Sequence, residues 1–73
     1  MVIVGGRYRH FKGREYEVLM LAKDCESLRD VVVYRALYGE GQVWTRDLEE
    51  FDGFKKFEDG REVKRFELVD GKS

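Results

Sequence analysis

Eight glycines, at positions 5, 6, 13, 39, 41, 53, 60 and 71, cut the chain into short segments rich in Val, Tyr, Phe and Trp, and no proline interrupts any of them. β-Branched and aromatic residues in short runs between turn residues read as strands joined by hairpins. A chain of 73 residues buries only about 60% of the surface its unfolded form exposes, so the core must be thin and needs its large side chains. The expected fold is all-β: a small, strongly twisted sheet or partly open SH3-like barrel of five to six strands, with one short helical turn after Trp44. Residues 1–69 are expected to form a single small β domain and residues 70–73 a frayed tail.

The first hairpin can be derived in detail, because a strand's register follows from its buried face. In "RYRHFKGREY", residues 7–16, two loops compete. A two-residue loop at Lys12-Gly13 would set Arg9 opposite Tyr16 and Arg7 opposite Val18, placing charge on an apolar face. A three-residue loop, Phe11-Lys12-Gly13 with Gly13 left-handed in a bulge, sets Arg9 opposite Glu15, Arg7 opposite Glu17 and Tyr8 opposite Tyr16. The second is preferred, since opposite charges then share one face and tyrosines the other, at about 0.2–1 kcal/mol per pair. Continuing the ladder sets Val4 opposite Met20 and Ile3 opposite Leu21, with a bend at Gly5-Gly6.

"KDCESLRD", residues 23–30, reads as a loop or single helical turn with Leu28 as its apolar anchor. "VVVYRALYGEGQVWTR" is a second hairpin around Gly39-Glu40-Gly41, with Tyr38 facing Gln42, Ala36 facing Trp44 and Tyr34 facing Arg46. One face then carries Tyr34, Tyr38, Trp44 and Arg46; the other carries Val33, Arg35, Leu37, Val43 and Thr45. "DLEEF" predicts one helical turn capped by Asp47, with Glu50 completing a capping box and Gly53 ending it. A third hairpin turns at Asp59-Gly60.

Charged residues make up 40% of the chain and the formal net charge is -1, which gives no global attraction to nucleic acid or an anionic membrane. The charge is uneven, with five basic and two acidic residues in 1–23 against nine basic and thirteen acidic in 24–73. An anionic partner should therefore meet the N-terminal part. The acidic stretch from Asp47 to Glu62 reads as a solvated face or as a contact for a basic partner. Apolar runs such as Val31–Tyr34 span four residues, far short of a signal-peptide core or a membrane span. The lone thiol, Cys25, rules out an intrachain disulfide. A cytoplasmic protein that does not engage membranes is the expectation.

The blocks "GRYRHFKGREYEVL", "VVVYRALYG" and "VWTRDLEEF" resemble the three signature segments of the bacterial domain-of-unknown-function family 1653, a group of short, mostly stand-alone proteins. The run Tyr8-Arg9-His10-Phe11-Lys12-Gly13 carries most of the likeness, which extends from residue 6 to residue 69. The chain departs from the family at Asp47 and Glu50, where proline and methionine are frequent, and this bears on the local turn. The resemblance implies no activity, substrate or cofactor.

No catalytic constellation emerges, and an enzyme is not expected. His10 is the sole histidine, so no set of spaced ligands suits a metal. Cys25 lies between Asp24 and Glu26, whose charges disfavour a reactive thiolate, which argues against a Cys25–His10 pair. No phosphate loop or cofactor motif is present. The candidate ligand-binding residues are Tyr34, Tyr38, Trp44 and Arg46, joined by Lys12 and Arg14, for which the first hairpin supplies no carboxylate partner. Stacked rings beside an arginine are how small β domains hold bases of single-stranded nucleic acid, and the same geometry can cage a cationic side chain. The competing account makes these rings the core, and the sequence leaves open which face of residues 33–46 is buried. Two functions follow: a binding module for nucleic acid or another anionic or aromatic ligand, or a protein-interaction or homodimerising domain that uses a sheet edge.

Overall fold

A computed structural model describes residues 1–71. Seven strands and one helical turn follow in the order β1 (Arg7–His10), β2 (Glu15–Lys23), β3 (Asp30–Ala36), β4 (Val43–Asp47), α1 (Leu48–Phe51), β5 (Phe54–Lys56), β6 (Glu62–Lys64) and β7 (Phe66–Asp70). Five of them form an antiparallel sheet in the order β4-β3-β2-β1-β7, and β5 and β6 form a separate two-stranded arm. The sheet does not close into a barrel; β4 and β7 are its edges. Among the described residues no helix is long and apolar enough to cross a membrane.

The first hairpin has the expected register, with Arg7 opposite Glu17, Tyr8 opposite Tyr16 and Arg9 opposite Glu15. Gly13 sits at φ +106°, a conformation costly for a side chain with a Cβ. The loop closes through Gly13 N donating to His10 O at 2.7 Å and His10 N to Arg14 O at 2.8 Å. The ladder stops sooner than expected, because the chain bends at Gly5-Gly6: Gly5 N donates to Val18 O at 2.8 Å and Gly6 N to Ile3 O at 3.0 Å. Ile3 and Val4 therefore do not pair with Leu21 and Met20. Ile3 N instead donates to the hydroxyl of Tyr8 at 2.8 Å, satisfying a phenol whose ring is buried.

The second hairpin departs from expectation by two residues. Tyr34 lies opposite Trp44 and Val32 opposite Arg46, while Ala36 N bonds Gln42 O at 2.9 Å. The loop is wider than expected: β3 ends at Ala36, Leu37 N stays with β2 by donating to Glu15 O at 3.0 Å, and Gly41 N donates to Tyr38 O at 3.1 Å. A shift of two leaves every side chain on its original face. Tyr34, Ala36, Trp44 and Arg46 still share one side, now with different partners. Leu28, expected as an anchor, takes a positive φ of 63° and is exposed; the loop is held by Leu28 N to Asp24 O at 2.8 Å and Asp24 N to Arg29 O at 2.9 Å instead.

Asp47 caps α1 by accepting from Glu49 N at 2.9 Å. Glu50 does not complete a capping box; it reaches Arg46 Nη1 at 3.4 Å. Asp47 and Glu50 thus carry the cap and an ion pair. Gly53 follows because a Cβ there would stand 2.8 Å from Glu49 O. The helical turn exists to place Phe51, whose ring stacks on Phe66 at 4.0 Å and 5°. Around that pair Tyr8, Val18, Val32 and Tyr34 complete the core, with Val2, Tyr16 and Leu48 packed against it. The opposite face of the sheet is ionic, and Arg9 and Arg7 reach Glu15 at 2.9 and 3.4 Å while Arg35 takes Glu17 at 2.6 Å.

A core this small leaves no slack for lost volume. Phe51→Ala removes one ring of the stack and is expected to cost about 3–5 kcal/mol, close to the whole stability of a small domain. Urea denaturation followed by far-ultraviolet circular dichroism should show the variant largely unfolded before denaturant is added; a midpoint near that of the wild type would show that Phe51 does not hold the core.

Candidate functional site

The sheet face that packs α1 is the inner face, and the candidate residues fall along it. Tyr34 is only 5% exposed and meets Tyr16, Phe51 and Phe66 edge to face. It belongs to the buried core. Trp44, directly opposite on the edge strand, is 48% exposed. The two accounts of the aromatic face thus divide it between them, with the inner ring buried and the edge ring open.

Tyr38, half-buried, folds back from the β3–β4 loop, and its hydroxyl meets that of Tyr16 at 2.7 Å. Burial and this hydrogen bond push the Tyr16 phenol up to about 12, so it stays neutral across the physiological range. The Arg14 guanidinium covers the Tyr38 ring at 4.4 Å. Ala36, Tyr38, Gly39, Glu40, Gln42 and Trp44 line a shallow cleft of about 290 Å³ at this end of the sheet, with Glu40 as its one charged residue. Arg14 and Trp44 are therefore brought to one place through Tyr38. Lys12 stands at the hairpin tip, 6.0 Å above the Phe11 ring. Among the described residues neither Lys12 nor Arg14 has a carboxylate partner.

Two residues further along β4, Arg46 lies half-buried across the inner face. Its guanidinium sits 5.7 Å from the Phe66 centroid, and its Nε reaches the Tyr34 hydroxyl at 3.5 Å. Close by is His10, whose ring meets Phe66 edge-on at 4.9 Å and Phe11 at 4.3 Å. Burial, and then the charges of Arg46, Arg65 and Lys12, lower the His10 pKa from 6.5. Its Nδ1 accepts from Lys12 N at 3.1 Å, which leaves the proton of the neutral ring on Nε2. Arg65 buries its Nε without a hydrogen-bond partner among the described residues.

The sequence reading missed His10, Tyr16 and Arg65 as parts of this surface. The Tyr8–Tyr16 pairing already put Tyr16 on the aromatic face, a usable signal. Arg65 carries none, because its approach to His10 depends on where β7 returns. Cys25 is exposed at the turn after β2, and its neighbour Asp24 accepts from Glu26 N at 3.0 Å. No group of His, Cys, Asp and Glu among the described residues is arranged to hold a metal ion. What the inner face presents is indole, phenol and guanidinium, the chemistry of recognition by stacking and charge.

Residues 6–68 match the family model described as "Protein of unknown function (DUF1653)". A similar solved structure is the crystal structure of a DUF1653 protein from Bordetella bronchiseptica, 34% identical, which covers 94% of this chain and 90% of that one with a TM-score of 0.77. No curated protein matches the chain.

The depressed histidine makes stability depend on pH in a defined direction. An unfolded chain binds a proton at His10 near pH 6.5 while the folded one resists it, so stability is full above that value and is lost as pH falls below it. Melting temperature should therefore drop as pH falls below 6.5, and His10→Gln should flatten that dependence. An unchanged slope in the variant would assign it to other groups.

Proposed function

The chain belongs to the DUF1653 family, and from that premise we propose that it is a binding module that engages an anionic, ring-bearing ligand across the inner face of its sheet, with single-stranded nucleic acid as the chemistry the face suits. The observation that carries this reading is Trp44. A thin core needs every large ring it can bury, yet the sole tryptophan is 48% exposed, on the same face as Arg46 and beside the Arg14-covered Tyr38. An open indole flanked by guanidinium groups offers a stacking platform and local positive charge together. With a net charge of -1 there is no long-range steering, so affinity comes from these few contacts and is modest.

Trp44 reports on its own site. Single-stranded oligonucleotides should quench its emission, and the affinity should fall steeply as salt rises. Trp44→Ala removes about 1–3 kcal/mol of stacking, while the urea midpoint moves little because the ring is half in solvent. Arg46→Ala should weaken binding about tenfold. Emission indifferent to oligonucleotides, with Trp44→Ala unfolding the domain, would refute the reading.

One observation favours a second reading. The edge strand β4 exposes Val43, Trp44 and Thr45 with no charge among them, whereas edge strands are ordinarily guarded by charge or proline. Pairing of β4 with another chain would give an association that salt leaves intact and that Val43→Lys abolishes. Sedimentation across protein concentration and ionic strength separates the two readings, and a monomer under all conditions removes the second.

A further inference from the structure

A cavity of about 550 Å³ lies away from the inner sheet face. It opens where the loop of the first hairpin meets the β5–β6 arm, and its walls come from segments far apart in sequence. Phe11 from the first loop and Phe57 from the arm's turn meet edge to face at 5.9 Å. Phe11 N donates to Arg65 O at 3.0 Å and Arg65 N to Gly53 O at 3.0 Å, so backbone bonds hold the arm against the hairpin. The cavity is thus built by the fold, and its size lies within the about 300–1,000 Å³ common for small-molecule sites.

Its lining combines charge with flat apolar surface. Arg9, Arg61 and Lys64 contribute three cations against one carboxylate, Glu67, and Phe11, Phe57 and Val63 form the apolar wall. Each cation has a carboxylate outside the lining: Arg9 with Glu15 at 2.9 Å, Arg61 with Asp59 at 3.0 Å and Lys64 with Asp52 at 3.3 Å. Exposed pairs of this kind are worth about 0–1 kcal/mol, so a strong anion in the cavity can recruit all three. The Arg61 guanidinium already lies over the Phe57 ring at 4.9 Å, with its Nε held by Asp59. His10 completes the wall. With Nδ1 committed to Lys12 N, its one remaining polar atom is Nε2.

We infer that this cavity binds a small planar anion, a phosphate or carboxylate attached to an aromatic or heteroaromatic ring, with Arg9, Arg61 and Lys64 facing the anionic group and Phe11 and Phe57 facing the ring. Such a ligand places negative charge near His10, which is otherwise surrounded by the positive groups Arg46 on β4, Arg65 between β6 and β7, and Lys12 in its own loop, with Glu67 of β7 as the acid in the lining. Binding at this site should raise the protonation midpoint of the imidazole. The inference is independent of the reading for the inner face, since Trp44 and Arg46 do not line the cavity.

The sole histidine makes the test direct. Proton nuclear magnetic resonance of the full chain follows the His10 Cε1 proton against pH, with and without millimolar adenosine monophosphate. The expected result is an upward shift of the midpoint, lost in Arg61→Gln/Lys64→Gln and kept in Trp44→Ala. Inorganic phosphate at the same concentration should shift it less, having no ring to seat. In the wild type, nuclear Overhauser contacts should join the adenine protons to the rings of Phe11 and Phe57, a readout that stands even if the double variant fails to fold. An unmoved midpoint, a shift that survives in the folded double variant or vanishes in Trp44→Ala, equal effects from both probes, or no contacts to either ring would overturn the assignment.

Discussion

The stack of Phe51 on Phe66 is the contact on which the rest of the molecule depends. It joins a single helical turn to the first residue of the last strand of the sheet, and so fixes that turn over the sheet's inner face. A sheet in water needs a second layer over one face, and here that layer is the Phe51 ring from a four-residue helix, helped by Leu48 and Val2. The cap on Asp47, the close approach at Gly53 and the bend at Gly5-Gly6 all serve to bring that ring to its place and close the chain around it. Met1 adds to this, its amino group meeting Asp52, just beyond α1, at 3.1 Å.

A core built from so few rings forces a division of labour between the two sheet faces. On the outer face the arginines of β1 and β3 are matched with Glu15 and Glu17, so charge there is spent within the sheet. On the inner face the aromatic residues run out before the sheet does. Tyr34 is covered, and its neighbour across the ladder, Trp44, is left at the rim. Guanidinium groups then take the place of further apolar cover: Arg46 lies over Phe66 and Arg14 over Tyr38, planar cations that shield a ring while keeping contact with water. The same substitution that finishes a thin core leaves stacking surface and positive charge side by side.

His10 links the two halves of the molecule. It lies on β1, touches Phe66 of β7 and Phe11 of the loop, and feels Arg46 from β4. Burial and three neighbouring cations oppose the charge of a group so placed.

Much of this was legible in the sequence, and the boundary follows from the range of the interactions. Alternation of charge and ring across a three-residue loop dictated the register of the first hairpin, because a slip of one would have moved every side chain to the wrong face. The helical turn after Trp44 was legible for the same local reason, an Asp cap before a short apolar pair. The family likeness was legible in three blocks. The second hairpin was missed by two residues, since its loop is wider, with Ala36 N bonding Gln42 O and Gly41 N bonding Tyr38 O, a loop length that strand alternation does not report. The N-terminal ladder failed because the chain bends away at Gly5-Gly6 and Ile3 N then bonds the Tyr8 hydroxyl. Only the tertiary structure decided that Tyr34 is core while Trp44 is open, because alternation names the face they share but not how far the covering layer extends across it. It alone also brought Phe11 to Phe57 and Arg65 toward His10, contacts between segments more than forty residues apart, which arise where β7 crosses back to β1 and have no trace in the spacing of residues along the chain.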